Sequence, residues 1–521
     1  MIQTIIRRNL YVDSIFLMNA SREMMKLEGV GDAVLVMGTD MNKTVLTEFG
    51  AGAEAAGATP GDLVISLDSD REETASEAQE LLESLLREKS GGADGGNRNY
   101  PTLGLALENF PGANLVYISV PGEYAGLEAR AALEGGKNVF IFSDNVPIEE
   151  EVELKKFARE KGLWVMGPGC GTSVLGGISV GMMSKIGAGH IGIVGASGSG
   201  IHEIAALIDH AGCGVTQAIG TGGRDLSKEV GAITMTQGLN YLMEDDETKV
   251  IVLVSKPPHP ESAAKIFASL EKCEKPVVIY FLGRNLPKPL GRACQAATLE
   301  DAADKAVRFS RGERPDDGSD PVALAKKELS AEAGKETAKL RPEQKYVRGL
   351  FCGGTHCEEA ILLLSDILGP GGSVHSNIAF GGSILLDDAK RSVGNCLVDM
   401  GDEEFTLGRP HPVMEPSILN GRLLREASDP ETAVILFDLL LGYGAHSDPV
   451  GAIEDALAEI REKLCAEGRH IGMVATLTGT RRDPQGFDGQ LRRLEELGVR
   501  VLPSNAGATI FAGLVVSGRE E

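Results

Sequence analysis

Along most of the chain, apolar runs of four to nine residues alternate with stretches in which apolar side chains recur every three or four positions. The first pattern reads as strands buried on both faces and the second as amphipathic helices. Their alternation predicts parallel sheets covered by helices on both sides. Three regions show it. In residues 1–185, AVLVMG, DLVISL, NLVYISV, NVFIFS and LWVMG read as strands, and ETASEAQELLESLLREK and EVELKKFAREKG as helices. In residues 186–312 the strands are HIGIVG, GVTQAIG, VIVLVS and PVVIYF. In residues 346–521 they are VRGLFCGG, CLVDMG, TAVILFDLL, IGMVATLT and VRVLPS.

Two segments break the alternation. SGGADGGNRNYPT (90–102) is polar and glycine-rich, and reads as a mobile loop. Residues 313–345 are charged, poor in large apolar side chains and bounded by prolines, which predicts an exposed linker with some helix.

Composition narrows the class. The chain has 521 residues and a formal charge of −24, with no run of Lys or Arg, so nucleic acid and anionic membrane surfaces are poor partners. No segment reaches about 18 consecutive apolar residues, so no membrane span is expected. The start, MIQTIIRRNLYVDS, lacks the pattern of a secretory signal, which points to a cytoplasmic protein. The eight cysteines (170, 213, 273, 294, 352, 357, 396 and 465) form no CxxC pair and read as buried reduced thiols rather than disulfides or zinc ligands. The nine histidines form no metal-ligand cluster, and no metal is expected.

The candidate chemistry lies where strands run into glycines. GHIGIV is followed by GASGSG and a helical stretch, and LFCGG is followed by THCEEAILLL. A helix start leaves four backbone N–H groups without partners and carries about half a positive charge. Glycines let a ligand approach that backbone, and phosphate suits it. Each turn is equally a plain strand-to-helix connection that holds nothing. In the second, Thr355 reads as an N-cap with Glu358 at capping-box spacing. If the two regions face each other, the two helix starts could hold one phosphate between them.

These residues resemble a known family. MGPGCGTSVLGG (166–177), GHIGIVGASGSGIHEIA and AIGTGGRD (218–225) look like the α subunit of succinyl-CoA synthetase. LFCGGTHCEEA and residues 476–512 resemble the carboxy-terminal domain of its β subunit. Their fusion in one chain, with GRPHPVMEP (408–416) and GYGAHSDPVGAI (442–453), resembles the FdrA proteins of the acyl-CoA synthetase superfamily. The resemblance implies an α/β fold: a Rossmann-like CoA-binding-type domain over 1–185, divergent in its first half, then two flavodoxin-like domains over 186–312 and 346–521.

The resemblance also assigns residues. Ser197, Gly198, Ser199 and Gly200 would form one half of a phosphate site, and Gly353, Gly354 and Thr355 the other. Gly220, Gly222, Gly223 and Asp225 match a loop near the active site. The family's nucleophilic histidine is missing, since the corresponding stretch is GRACQAATLEDAA (291–303), and Cys294 has no base beside it. A supporting family glutamate lines up with Lys256, which could neutralise an anionic substrate. The ATP-grasp domain is absent, and the amino-terminal glycine turn for CoA has the wrong spacing. His356 could act as acid or base. Arg409 and His411, in a proline-marked loop, could face a carboxylate substrate. His446 could be oriented by Asp448 or cap the following helix.

Three functions are compatible with this set. One is a transferase that forms or consumes carbamoyl or acyl phosphate without ATP, as suspected for FdrA-type carbamoyl transfer between oxalurate and phosphate in purine breakdown, with partner subunits. Another is an acyl-CoA ligase that borrows an ATP-grasp partner. The third is a non-catalytic CoA-binding subunit. Phosphate or carbamoyl phosphate is the expected ligand, CoA a possible one, and a homo-oligomer is possible.

Overall fold

The computed structural model describes residues 1–10, 12, 14–71, 73–91, 100–286, 292–315, 318–406 and 410–517. It divides into two compact units, residues 1–137 with 403–410, and residues 138–402 with 411–521. The expected loop at 90–102 falls largely outside the described residues.

In the first unit, strands Ile2–Arg7 and Val30–Met37 flank Leu63–Ser69, and both run antiparallel to it. The parallel pairing expected for AVLVMG and DLVISL is therefore not what forms. The cause is visible in the core. Leu63, Ile65 and Leu67 belong to one buried cluster and Val64 to another, so alternate residues are covered on opposite faces. A strand covered on both faces reads as a continuous apolar run whatever direction its neighbour takes.

The second unit holds two seven-stranded sheets. One contains, in spatial order, Ala293–Gln295, Val277–Phe281, Val250–Ser255, Ala188–Ala196, Val215–Gly220, Thr172–Leu175 and Ile178–Gly181. Its first five strands are parallel, and their order is that of a flavodoxin-like fold. The last two are antiparallel and come from the region expected to end at 185. The single domain expected over 1–185 is thus divided, and residues 138–185 go with the second unit.

The other sheet runs Ile384–Leu385, Val374–Ser376, Asn395–Asp399, Tyr346–Phe351, Thr432–Leu440, Gly472–Thr478 and Arg500–Leu502, with every pairing parallel. The segment expected as an exposed linker forms helix Pro321–Thr337, whose Ala333 is buried with Val347, Phe511 and Val515. Its small-residue stripe was too weakly apolar to predict docking.

Ala188–Ala196 and Tyr346–Phe351 each lie inside their sheet, and each feeds directly into a helix at its carboxyl end. In open α/β sheets ligands bind at such ends, where the strand order reverses. Among the described residues, no helix is long and apolar enough to cross a membrane.

Candidate functional site

Helices Gly198–His210 and Gly354–Leu368 begin against each other. The hydroxyls of Ser197 and Thr355 share a buried hydrogen bond of 2.7 Å. A Cβ on Gly353 would fall 2.6 Å from Ser199 Cβ, so glycine is what lets the two starts touch. Ser197 caps its helix by accepting from the Gly200 N–H at 3.1 Å. That leaves the N–H groups of Gly198 and Ser199 at the open end. The second helix has no side-chain cap; its N-cap is Gly353. The expected capping box does not form, because Thr355 turns to Ser197 and Glu358 turns to Lys256. The N–H groups of Gly354, Thr355 and His356 therefore have no intrahelical partner. Ser199 Oγ is buried with no hydrogen-bond partner.

Not every expected phosphate donor remains open. The Cys352 and Gly353 N–H groups donate to Asp438, at 2.5 and 3.2 Å, and the Gly200 N–H is taken by Ser197. The cradle thus reduces to Gly198 and Ser199 on one side and residues 354–356 on the other.

Beneath it lies a buried polar cluster that joins the two sheets. His356 Nδ1 donates to Asp438 Oδ2 at 2.7 Å, and its Nε2 lies 2.9 Å from Glu203 Oε2. Burial disfavours the charged ring, but Asp438 and Glu203 outweigh burial and raise His356 to about 10. His356 is therefore an imidazolium throughout the neutral range and does not switch as an acid or base there. Asn505 spans the cluster. Its N–H donates to Glu203 at 3.0 Å, and its Nδ2 donates to Glu359 at 2.8 Å and to the His356 carbonyl at 3.0 Å. Tyr280 also donates to Glu359, at 3.0 Å.

Lys256, half exposed at the end of strand Val250–Ser255, pairs with the buried Glu358 at 2.6 Å. Its charge is already committed, but it stands at the rim of the same strand ends. Asp399 ends strand Asn395–Asp399, and its Oδ2 lies 2.8 Å from where a Cβ on Gly354 would sit. Burial raises its carboxyl to about 7. His411 Nε2 lies 2.5 Å from the Cβ position of Gly401, and burial lowers this ring to about 4, so it stays neutral. Arg409 lies outside the described residues.

The loop Gly220–Asp225 packs rather than presents itself. A Cβ on Gly220 would meet Cys170 Sγ and the Thr172 carbonyl at 2.5 Å, and Gly222, at φ +87°, would meet the Pro168 carbonyl at 2.4 Å. Gly223 faces open space. Asp225, expected beside the substrate, is fully buried. It pairs with the equally buried Lys155 at 2.8 Å and accepts from the Thr234 and Met235 N–H groups. Its geometry is that of a helix cap and ion-pair partner. Thr172 Oγ1 lies 3.3 Å from the Cβ position of Gly198, so the MGPGCGT loop flanks the first helix start. His446 Nδ1 accepts from the Asp448 N–H at 3.0 Å, while the Asp448 carboxylate accepts from Gly451 and pairs with Arg493. Asp448 thus caps the helix and does not orient the ring. The hydrogen bonds of His446 and Asp225 among the described residues go to partners other than the cradle.

Glu203, Asp438, Asp399, Glu359 and Asn505 were missed by the sequence reading. A signal existed for some of them. Asp438 interrupts the apolar strand TAVILFDLL, and Glu203 the apolar helix face of IHEIAALI. A charge in such a place is retained only with buried partners.

A CoA-ligase family model matches residues 350–515, a CoA-binding domain model matches 187–283, and a model described as AllF, heavy metal-associated domain, matches 1–101. The uncharacterized protein YahF of Escherichia coli (strain K12) is 39% identical over 528 residues, covering 100% of this chain and 99% of its own. The chain belongs to the family of YahF, within the acyl-CoA synthetase-like superfamily. The α subunit of an ADP-forming succinate–CoA ligase from Staphylococcus aureus (strain N315) is 28% identical over 197 residues, 36% of this chain and 62% of that subunit. Among solved structures, ATP citrate lyase from Methanothrix soehngenii is 19% identical with a TM-score of 0.33, covering 40% of this chain and 37% of that one. The dinucleotide-forming acetyl-coenzyme A synthetase 1 of Ca. Korarchaeum cryptofilum is 13% identical with a TM-score of 0.31, covering 81% and 86%.

Family membership makes the second unit an acyl-CoA ligase-like fold. The CoA-binding model falls on the second region, not on the first, where the sequence reading put that domain. The heavy-metal description does not fit the residues it covers. Residues 1–101 contain no cysteine and no histidine, so they lack the thiolates and imidazoles on which soft-metal sites are mostly built, and methionine is the soft donor they hold.

Proposed function

We propose that the second unit is a phosphate-dependent acyl or carbamoyl transferase of the FdrA type, acting without a phosphohistidine. One observation carries this reading. Two helix starts touch through Ser197 and Thr355 and leave N–H groups open on both sides, while Cys294 and Lys256 stand where the family resemblance expects the phosphoryl-accepting machinery. A site of this kind binds an oxyanion without handing it on.

The chemistry needs few parts. A phosphate oxygen attacks the carbonyl of an activated acyl or carbamoyl group. The carbonyl π pair moves to oxygen, then returns as the bond to the leaving group breaks; the attacking hydrogen phosphate gives up its proton and the leaving atom gains one. The products are a mixed anhydride and the protonated leaving group. Preorganised N–H donors at 198–199 and 354–356 hold the phosphate and offset developing negative charge, an effect worth ~10²–10³ in rate for a well-placed donor. The imidazolium of His356 offsets the carboxylates beneath. Oxalurate or oxamate with carbamoyl phosphate is the substrate pair to try first.

Thermal unfolding with phosphate, carbamoyl phosphate, CoA and ATP, each alone, tests the reading. A ligand at 100 times its dissociation constant adds about 2.7 kcal/mol. Stabilisation by phosphate or carbamoyl phosphate, with phosphorolysis of oxalurate in the absence of ATP, is the expected result. The similarity to a succinate–CoA ligase subunit favours a second reading, acyl-CoA ligation with a separate ATP-grasp chain. CoA- and ATP-dependent turnover on adding such a chain would replace the transferase with that reading. Binding without turnover, partners included, would make the chain a non-catalytic subunit.

A further inference from the structure

The cradle contains a carboxyl group that the transfer chemistry above leaves unused. Asp399 ends one strand neighbouring Tyr346–Phe351, and Asp438 lies in the strand on the other side, so the helix start at Gly354 sits between the two acids. They are held differently. Asp438 is consumed by His356 and by the Cys352 and Gly353 N–H groups. Asp399 is fixed through its backbone, its N–H donating to Asn377 Oδ1 at 2.9 Å and its carbonyl accepting from Asn377 Nδ2 at 3.0 Å. Its Oδ1 accepts from the Gly401 N–H at 2.8 Å, and its Oδ2 reaches the first residue of the uncapped helix. Gly354 makes room for that oxygen, since a Cβ there would lie 2.8 Å from it.

We propose that Asp399 is the proton-bearing group of the cradle. Resting on the phosphate-site reading, this role has Asp399 bind the anion as a neutral carboxylic acid. It donates a hydrogen bond to one oxyanion oxygen. During turnover it passes that proton to the departing group: the Oδ2–H bond breaks, an H–leaving-atom bond forms, and the carboxylate is reprotonated, through water, by the proton that the attacking hydrogen phosphate gives up. The groups facing Asp399 make a neutral form reasonable. Asp402 and Asp438 oppose its ionisation, and the thiols of Cys352 and Cys357 are neutral neighbours, pushed up by burial. Lys256, tied to Glu358, is the cation acting on it, and His411 in the adjoining loop is uncharged. Burial places the transition of Asp399 at about 7, whereas His356 stays charged to about 10.

The test uses sulfate as the probe, because its charge is constant over the range, with inorganic phosphate in parallel. Calorimetric titration of the full chain is run from pH 6 to pH 9. If the neutral carboxyl is required, sulfate affinity falls tenfold per unit above pH 7. The loss is then about 100-fold by pH 9, given a transition at about 7. Asp399→Asn, which keeps the shape and can still donate from its amide, is expected to bind sulfate with an affinity that does not change with pH. A variant that retains the wild-type slope would overturn the proposal and assign the proton to another group, of which Glu359, also raised to about 7, is the first to examine. A flat wild-type profile with measurable binding would overturn the role of Asp399 while leaving the cradle intact. Failure of both proteins to bind either anion at any pH would overturn the cradle itself and this role with it.

Discussion

Replacing Gly353 with alanine tests the contact between the two helix starts. The backbone there is at φ −110° and ψ 115°, a conformation open to any residue, so the substitution introduces no strain of its own. Its effect is steric. The new methyl carbon would lie 2.6 Å from Ser199 Cβ, 2.8 Å from Ser199 Oγ and 3.2 Å from His356 Nδ1. Carbon atoms pack at about 3.5–4.0 Å, so the helix starts must separate by about 1 Å. The Ser197–Thr355 bond, now 2.7 Å, then passes the limit of a hydrogen bond. Overpacking costs about 1–3 kcal/mol and the lost buried bond about 0.5–1.5 kcal/mol, so a loss of roughly 2–4 kcal/mol is expected. Urea unfolding measures it, and phosphate calorimetry measures the accompanying loss of affinity. Gly61→Ala serves as the control, since it lies outside the cradle and its Cβ position has nothing within 4 Å. If Gly353→Ala unfolds and binds phosphate like the unaltered chain, the two starts are not in the contact described here.

Other outcomes follow from the same geometry. His356→Gln leaves Glu203 and Asp438 without their shared cation and is expected to cost roughly 3–5 kcal/mol in urea unfolding at pH 7. Because the folded state raises His356 from 6.5 to about 10, its contribution is complete below pH 6.5 and fades as pH rises towards 10. The gap between wild type and variant should therefore narrow between pH 8 and 10; a constant gap would refute the imidazolium. Lys155→Met leaves Asp225 in the interior without a cation, while Glu151 keeps Arg224 at 3.0 Å, and should cost roughly 3–5 kcal/mol, a loss below about 1 kcal/mol counting against a buried ion pair. Ser199→Ala removes a buried hydroxyl that has no partner, so the chain without ligand should gain up to about 1 kcal/mol while phosphate affinity falls. Equal effects of the same sign would show that the hydroxyl does not serve the anion.

Much of the second unit was legible in the sequence because its signals are local. Runs such as HIGIV and VIVLV, buried on both faces, announce parallel strands, and a strand entering GASGSG or CGGT announces a helix start. The same locality explains the misreadings. AVLVMG and DLVISL are covered on both faces, and nothing within either run specifies that they pair antiparallel. Thr355 and Glu358 have capping-box spacing, yet each found a partner more than a hundred residues away or on another strand end, Ser197 and Lys256. Asp225 carried a motif's promise of substrate and became a buried partner of Lys155.

Residue pattern alone gives most of the elements, the two glycine turns and the absence of a histidine near Cys294. Tertiary packing sets which N–H groups stay open, holds His356 as a cation between Glu203 on one helix and Asp438 on a strand of the other sheet, and brings Asp399 beside Gly354. Hydrophobic periodicity and turn chemistry act over a few residues, so a chain displays them directly. Burial and the pairing of charges depend on strands brought together from across more than two hundred residues, and exist only once the sheets have closed on one another.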